Sequence, residues 1–153
     1  MKLRVLLFLM FFISLLPSCA QDKDIMHNGY YSARASSFDK DGWKEFVTLY
    51  IHNNKIITVE YNARNISGLV VSWDVMYLSR LKSDIGYHPN QIIREYTNDL
   101  LNRQDPALIR RVLGDNRFYE IFKELAAAAI VQAKSGDKSV AIVSVARDIS
   151  EAR

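Results

Sequence analysis

Cys19 has the most clearly defined chemistry in this sequence. It is the only cysteine of the chain, so it cannot form an internal disulfide. It ends the tetrad Leu16-Pro17-Ser18-Cys19, which has the pattern of a lipobox, where a diacylglycerol thioether forms on the cysteine and cleavage frees its amine. The pattern predicts lipidation at Cys19. An ordinary signal peptide cleaved nearby and an uncut N-terminal anchor are the alternatives.

The residues before the tetrad support lipidation. Lys2 and Arg4 form a short basic start, and the run from Val5 to Leu16 is almost wholly apolar. The run is shorter than the ~20 residues that span a bilayer, and it has the size of a signal-peptide core. We therefore expect residues 1–19 to be a lipoprotein signal peptide. The mature protein would be exported and lipid-anchored to the cell membrane or outer membrane, on the periplasmic or surface face.

The charge balance excludes one class of partner. The chain has 20 basic and 17 acidic residues, and all the acids follow Cys19. Loss of Lys2 and Arg4 with the signal peptide leaves 18 basic residues and a net charge of +1. This balance gives no electrostatic reason to expect nucleic-acid binding. The expected partners are the membrane, through the lipid, and an unidentified redox or surface protein.

Catalytic and metal-binding patterns are weak in the mature chain. The three histidines are scattered, and none has metal-ligand spacing to another His or to Cys. Asp39 and Asp41 resemble the start of a calcium loop, but Tyr50 stands where an EF-hand needs its bidentate acid, which favours a simple turn. The sequence contains neither a Gly-rich phosphate loop nor a nucleophile elbow. We expect no metal and no enzymatic activity.

Strand patterns occupy the first part of the mature chain. Residues 30–37 alternate and are predicted to form a strand, and residues 38–42 form a turn cluster. Residues 46–52 and 55–61 alternate on either side of Asn53-Asn54. Asparagine tolerates the positive φ that tight turns need, so these two segments predict an antiparallel hairpin.

Helical patterns follow the strands. Ser72 is a candidate N-cap for a first helix that ends at Gly86, with an inner face of Trp73, Met76, Tyr77 and Leu81. Pro89 begins a second helix, which ends before Asp105-Pro106. A third runs from about Asn116 to Lys134, with an inner face of Phe118, Phe122, Leu125, Ala129 and Ala133.

The order of these elements predicts an α+β fold. A small antiparallel sheet, formed by the N-terminal strands and the hairpin, would pack with about three helices, and residues 139–145 would add a short last strand. The expected organisation is a signal peptide at 1–19, a tether at 20–27, one domain at 28–146 and a polar tail at 147–153.

An ordered series of short motifs resembles one known family, the FMN-binding domain of membrane-anchored bacterial lipoproteins. The series covers about residues 28–136. In chain order its pieces are Asn28-Gly29-x-Tyr31, Phe38-Asp39-x-x-Gly42-Trp43-Lys44, Asn54-Lys55-Ile56-Ile57-x-Val59-x-Tyr61-Asn62, Asn65-x-x-Gly68, Ser72-x-Asp74-x-x-Tyr77, Gly86-x-x-Pro89, Leu100-Leu101, Gln104-Asp105, and Gly114 before a helix with Phe122 and Leu125.

The resemblance implies a flavin loop at the start of the last helix. In the family, this segment reads Gly-Ala-Thr-x-Ser, and a flavin transferase links FMN to the threonine through a phosphoester. Here the loop is Gly114, Asp115, Asn116 and Arg117. Asn116 falls on the threonine position, and an amide cannot replace the hydroxyl in that linkage. Asp115 would repel a phosphate, or it would cap the helix.

Two hypotheses about function remain. In the first, the domain binds FMN without a covalent bond and takes part in extracytoplasmic electron transfer, where the flavin supplies the chemistry. In the second, the same fold has lost the cofactor and serves as a surface or periplasmic interaction lipoprotein of the membrane-immunogen type. The loop residues Gly114, Asp115, Asn116 and Arg117 are the candidate cofactor-binding residues, and no catalytic residue is predicted.

Overall fold

The computed structural model describes residues 25–115 and 117–146. The predicted signal peptide and lipobox, the first part of the tether, Asn116 and the polar tail lie outside the described residues. Among the helices that are described, none has the length and apolar character of a transmembrane span.

The described chain folds as one four-stranded sheet covered by helices. The strands are β1 (Gly29–Ala35), β2 (Lys44–His52), β3 (Lys55–Arg64) and β4 (Ala141–Val143), in the order β3-β2-β1-β4. The first three pair antiparallel, and β4 pairs parallel with β1. The α+β prediction is confirmed, and the last strand makes the sheet mixed rather than purely antiparallel.

The predicted hairpin is confirmed. Asn53 and Asn54 both have positive φ, 50° and 58°, which matches the twist of a two-residue hairpin turn. The pairing of β2 with β3 shifts once, between Tyr50 and Ile51. Alternate side chains of β2, namely Glu45, Val47, Leu49 and Ile51, are buried, so one face of the sheet holds the core.

In the described residues, three α-helices follow the hairpin, and two of them cover that face. They are α1 (Val75–Ile85), α2 (Pro89–Arg103) and α3 (Tyr119–Ser135). Helix α2 packs on β3, and α3 packs on β1 and β2. All five residues predicted for the inner face of the third helix are buried. In the described residues the helix begins at Tyr119.

The first helix corrects the sequence-based prediction. Its N-cap is Asp74, whose carboxylate accepts a hydrogen bond from the Tyr77 backbone N–H at 2.9 Å. Ser72 instead accepts a hydrogen bond from the side chain of Asn62. Trp73 and Met76 were predicted to face the core but are 74% and 87% exposed, and the buried residues of α1 are Tyr77, Leu78 and Leu81.

The two ends of the sheet carry different parts of the molecule. At the tether end, Met26 N–H donates to the side chain of Asn54 and His27 N–H donates to Ala133 O, each at 2.8 Å. The predicted tether therefore meets the domain at its last two residues. The distal end contains the β1–β2 turn, the C-terminus of β3 and the start of α3. The ten residues of β3 separate the two ends by about 30 Å.

Candidate functional site

The loop before α3 lies at the distal end and is built around a buried carboxylate. Gly114 has a φ of 85°, a left-handed conformation that glycine adopts without strain. The next residue, Asp115, has no exposed surface. A charged side chain at such depth needs partners, and the structure provides several.

Four donors converge on the Asp115 carboxylate. Its Oδ1 accepts hydrogen bonds from the backbone N–H groups of Arg117 and Phe118, at 2.9 and 3.0 Å. The hydroxyls of Tyr87 and Tyr96 donate to Oδ1 and Oδ2, at 3.2 and 2.5 Å. The carboxylate therefore caps the turn that enters α3, one step ahead of the helix itself, whose N-cap residue is Phe118.

This environment raises the pKa values of the two tyrosines. Burial raises the pKa of Tyr87 to about 12, and the charge and hydrogen bond of Asp115 add to the effect. The pKa of Tyr96 is also raised, chiefly by burial and then by its hydrogen bond to Asp115. Both hydroxyls thus remain protonated and continue to donate to the carboxylate over the ordinary pH range.

The three described residues of the candidate cofactor-binding loop have partners within the chain. Gly114 uses its carbonyl to accept a 3.4 Å hydrogen bond from Tyr87. The guanidinium of Arg117 pairs with Asp39 at 2.8 Å. Arg111 donates to the backbone carbonyl of Asp115 rather than to its carboxylate. Asn116 lies outside the described residues.

The pairing of Arg117 explains the turn that resembled a calcium loop. Asp39 Oδ1 accepts hydrogen bonds from the backbone N–H groups of Asp41 and Trp43, and Oδ2 pairs with Arg117. Tyr77 donates to Asp41 at 3.1 Å. The acids of this turn are therefore held by the chain itself. No group of three potential metal ligands occurs within the part of the chain that the structure describes.

Four of the aromatic side chains between residues 31 and 77 belong to the core. Tyr31, Trp43, Tyr61 and Tyr77 are each at most 9% exposed, and Tyr61 packs on the ring of Phe122 at 5.0 Å. These rings are structural residues of the sheet and helices.

A cleft of about 640 Å³ opens beside the capped loop. It lies between the β1–β2 turn, α1 and the first two turns of α3, and it extends to Ala146. Six carboxylates line it, against three cationic side chains, Lys40, Arg80 and Arg117. The acids are Asp39, Asp41, Glu45, Asp84, Glu120 and Glu124.

Sequence reasoning missed this cleft and the exposed apolar residues next to it. The acids come from four separate segments, and no spacing in the sequence groups them. The apolar residues Trp73 and Met76 fitted a helical inner face, so their pattern predicted burial. Only the position of the cap at Asp74, rather than Ser72, could have signalled the difference.

Comparisons with known proteins support the fold and identify one relative. The chain is 29% identical over 115 residues to a protein named "15 kDa lipoprotein" from Treponema pallidum (strain Nichols). The match covers 75% of this chain and 82% of that protein. No protein-family model matches the chain, so the resemblance to FMN-binding domains stays a prediction.

A solved structure has the same architecture. The crystal structure of the CPE2226 protein from Clostridium perfringens aligns with a TM-score of 0.73 and 20% sequence identity. The alignment covers 80% of this chain and all of that chain. This similarity supports the α+β fold described above, and it concerns the fold alone.

Proposed function

We propose that this protein is an exported lipoprotein, held on a membrane through Cys19, whose domain works through contacts with other macromolecules and holds no flavin. The anchoring is supported by the lipobox pattern at residues 16–19 and by the similarity to a protein named as a lipoprotein. The absence of a flavin is an inference from the Asp115 carboxylate.

Asp115 carries the argument against a flavin. The family that the sequence resembles places the FMN phosphate at the start of the last helix, where free N–H groups and the helix dipole favour an anion. Here the N–H groups of Arg117 and Phe118 already donate to a carboxylate, which is fully buried. A phosphate at this place would find its donors occupied and would meet a second negative charge.

A flavin titration tests this part of the proposal. FMN and riboflavin, which lacks the phosphate, are titrated into the purified mature protein and followed by calorimetry and flavin fluorescence. We expect neither to bind saturably, and we expect no flavin fluorescence in the denatured protein after coexpression with a flavin transferase. Saturable binding of FMN but not of riboflavin would show a working phosphate site.

Fatty-acid labelling tests the anchor. Metabolic labelling with a fatty acid should mark the wild-type protein, and Cys19→Ala should abolish the label, because no other cysteine exists to carry it. Ser18→Ala, which keeps a small residue beside the cysteine, serves as the control and should retain the label. Label that persists in Cys19→Ala would contradict the anchor.

The second candidate is a flavin protein that binds FMN without a covalent bond and transfers electrons outside the cytoplasm. The ordered motifs across residues 28–136 favour it. The same titration decides between the two candidates, since this one requires saturable FMN binding.

A further inference from the structure

Five large apolar side chains of the segment 66–76, at the distal end, are exposed. They are Ile66, Leu69, Trp73, Val75 and Met76, with exposed fractions of 92%, 39%, 74%, 71% and 87%. We call these five residues the distal patch. Single exposed apolar residues are common, whereas a concentration of them marks an interaction surface.

The backbone of this segment is held in place. The side chain of Asn65 accepts hydrogen bonds from the backbone N–H groups of Ser67 and Leu69, at 3.0 and 2.9 Å. Val70 forms a β-bridge with Arg64, the last residue of β3. The distal patch is therefore presented by a fixed turn, so its exposure does not result from a frayed end.

The distal patch continues into the acidic cleft along α1. Met76 and Arg80 are four residues apart and share a face of this helix, and Arg80 and Asp84 line the cleft. Six carboxylates line the cleft against three cations, and a fourth cation, Arg111, pairs with Glu120. The cleft therefore keeps a net negative charge. One carboxylate oxygen of Glu124, also in the cleft, is buried and accepts no hydrogen bond from any residue that the structure describes.

The position of this surface favours a partner outside the anchoring membrane. Five residues, 20–24, separate Cys19 from the described domain, and they reach at most about 20 Å. The chain enters at the tether end, whereas the distal patch lies beyond the C-terminus of β3, about 30 Å away. When the tether end of the sheet faces the membrane, the distal patch therefore points away from the lipid.

We propose that the distal patch and the acidic cleft together bind a basic amphipathic segment of a partner protein. Apolar side chains of the segment cover the distal patch, and its Lys or Arg side chains enter the cleft and pair with its acids. The proposal rests on the proposed function, because it names the surface through which the anchored domain makes its contacts. The binding mode is that of an amphipathic segment docked on an apolar surface.

Two synthetic peptides test the surface. The probes are a fluorescein-labelled Leu/Lys amphipathic peptide and its Leu/Glu counterpart, and the protein is the full mature lipoprotein in phosphatidylcholine nanodiscs. Empty nanodiscs give the lipid background. We expect the basic peptide to bind saturably in fluorescence anisotropy, with an affinity that falls as salt is added, and the acidic peptide not to bind.

Matched variants locate the binding site. Ile66→Ser with Met76→Ser should weaken binding by about tenfold or more, and so should Asp84→Asn with Glu124→Gln. The apolar control is Val131→Ser with Val140→Ser, which are also exposed but lie away from the distal patch. The charge control is Glu60→Gln with Glu95→Gln, which do not line the cleft. Equal binding by wild type and both site variants would overturn the proposal.

The same experiments reveal whether a second copy of the chain or its own tail covers this surface instead of a partner. If the wild type sediments as a dimer and the Ile66→Ser, Met76→Ser protein as a monomer, a second copy covers the distal patch and the proposal fails. If the basic peptide binds only after deletion of residues 147–153, which follow Ala146 at the cleft, the chain's own tail occupies the cleft and the proposal fails as well.

The flavin titration keeps the two proposals apart. Saturable FMN binding would contradict the cofactor-free function whatever the peptides do. Equal binding of the acidic and basic peptides, without FMN binding, would overturn the docking surface alone.

Discussion

The hydroxyl of Tyr96 donates a 2.5 Å hydrogen bond to Oδ2 of Asp115. The same hydroxyl accepts a hydrogen bond from the backbone N–H of Val112 at 3.2 Å. The side chain of Tyr96, on helix α2, thereby holds the loop that leads into α3 at Val112 and Asp115. Because both residues have no exposed surface, this contact forms part of the core.

Replacement of Asp115 by alanine should destabilise the fold. The change leaves two tyrosine hydroxyls and two backbone N–H groups without their acceptor. We expect a loss of about 3 kcal/mol in the free energy of unfolding, measured by urea denaturation. Asp105→Ala is the control, because that exposed residue caps only a short 3-10 turn, and it should cost about 0.5–1 kcal/mol. Equal effects would show that the Asp115 network is not important.

Stability should fall at high pH because of the buried tyrosines. The pKa of Tyr87 is raised to about 12, first by burial and then by Asp115, and the pKa values of Tyr77 and Tyr96 are raised, chiefly by burial. Unfolded tyrosine has a pKa near ~10. A raised folded-state pKa gives stability that is complete below the unfolded pKa and is lost as the pH rises through the folded pKa.

Urea denaturation across pH measures this loss. We expect the tyrosines to contribute no change in stability below about pH 9 and a decline from about pH 10 upward. Tyr77→Phe with Tyr87→Phe should flatten the decline, because phenylalanine cannot ionise. A decline that is just as steep in the double variant would assign it to other groups.

Arg117→Ala should be strongly destabilising, since it leaves a buried carboxylate without its partner. The side chains of Arg117 and Asp39 are only 15% and 3% exposed in their 2.8 Å ion pair. Loss of one member of such a pair costs about 3 kcal/mol. Arg110→Ala is the matched control, because its side chain is 79% exposed and 3.9 Å from Asp99. That change should cost about 0–1 kcal/mol, and similar values for the two arginines would contradict the role of Arg117.

Two substitutions of Gln104 should separate the stability that its side-chain hydrogen bonds contribute from the cost of its positive φ. Its side chain accepts from the N–H of Ile56 at 2.7 Å and donates to the Ile56 carbonyl at 3.0 Å, while its own φ is 63°. Gln104→Ala should cost about 1–2 kcal/mol. Gln104→Gly should cost about 0.5–1 kcal/mol less than alanine, because glycine adopts this φ freely. Gln91→Ala, at an exposed position, is the control for both.

Local patterns predicted the elements whose stabilising contacts are themselves local. Alternation in residues 46–52 and 55–61, with Asn53-Asn54 between them, specified the hairpin, and every Cα partner lies within about twenty residues. The inner face of α3 followed from its helical spacing, and all its predicted members are buried. In both cases the periodicity of one segment determines which side chains can face the core.

The first helix shows how a local pattern can mislead. Ser72 and Asp74 are both good capping residues, and the sequence does not say which of them begins the helix. The hydroxyl of Ser72 is used by Asn62, on the neighbouring β3, so Asp74 becomes the cap. This choice turns Trp73 and Met76 outward, and the contact that decides it is tertiary.

The candidate site could be predicted only in part for the same reason. The type of Asp115 suggested a cap or a repulsive charge, and its carboxylate does accept the N–H groups that lead into α3. Its other partners, Tyr87 and Tyr96, lie 28 and 19 residues earlier in the chain. No sequence spacing connects these tyrosines to Asp115, so their hydrogen bonds to its carboxylate could be recognised only from the structure.

The pairing of β1 with β4 has a consequence for biosynthesis. Residues Ala33 to Ala35 pair with β4, so the second edge of β1 is covered along this stretch only after residue 143 has been made. A nascent chain that has not yet reached β4 therefore carries an open β-edge on this part of β1. Bare edges recruit strands from other molecules, so products that end before β4 should aggregate rather than accumulate as smaller folded domains.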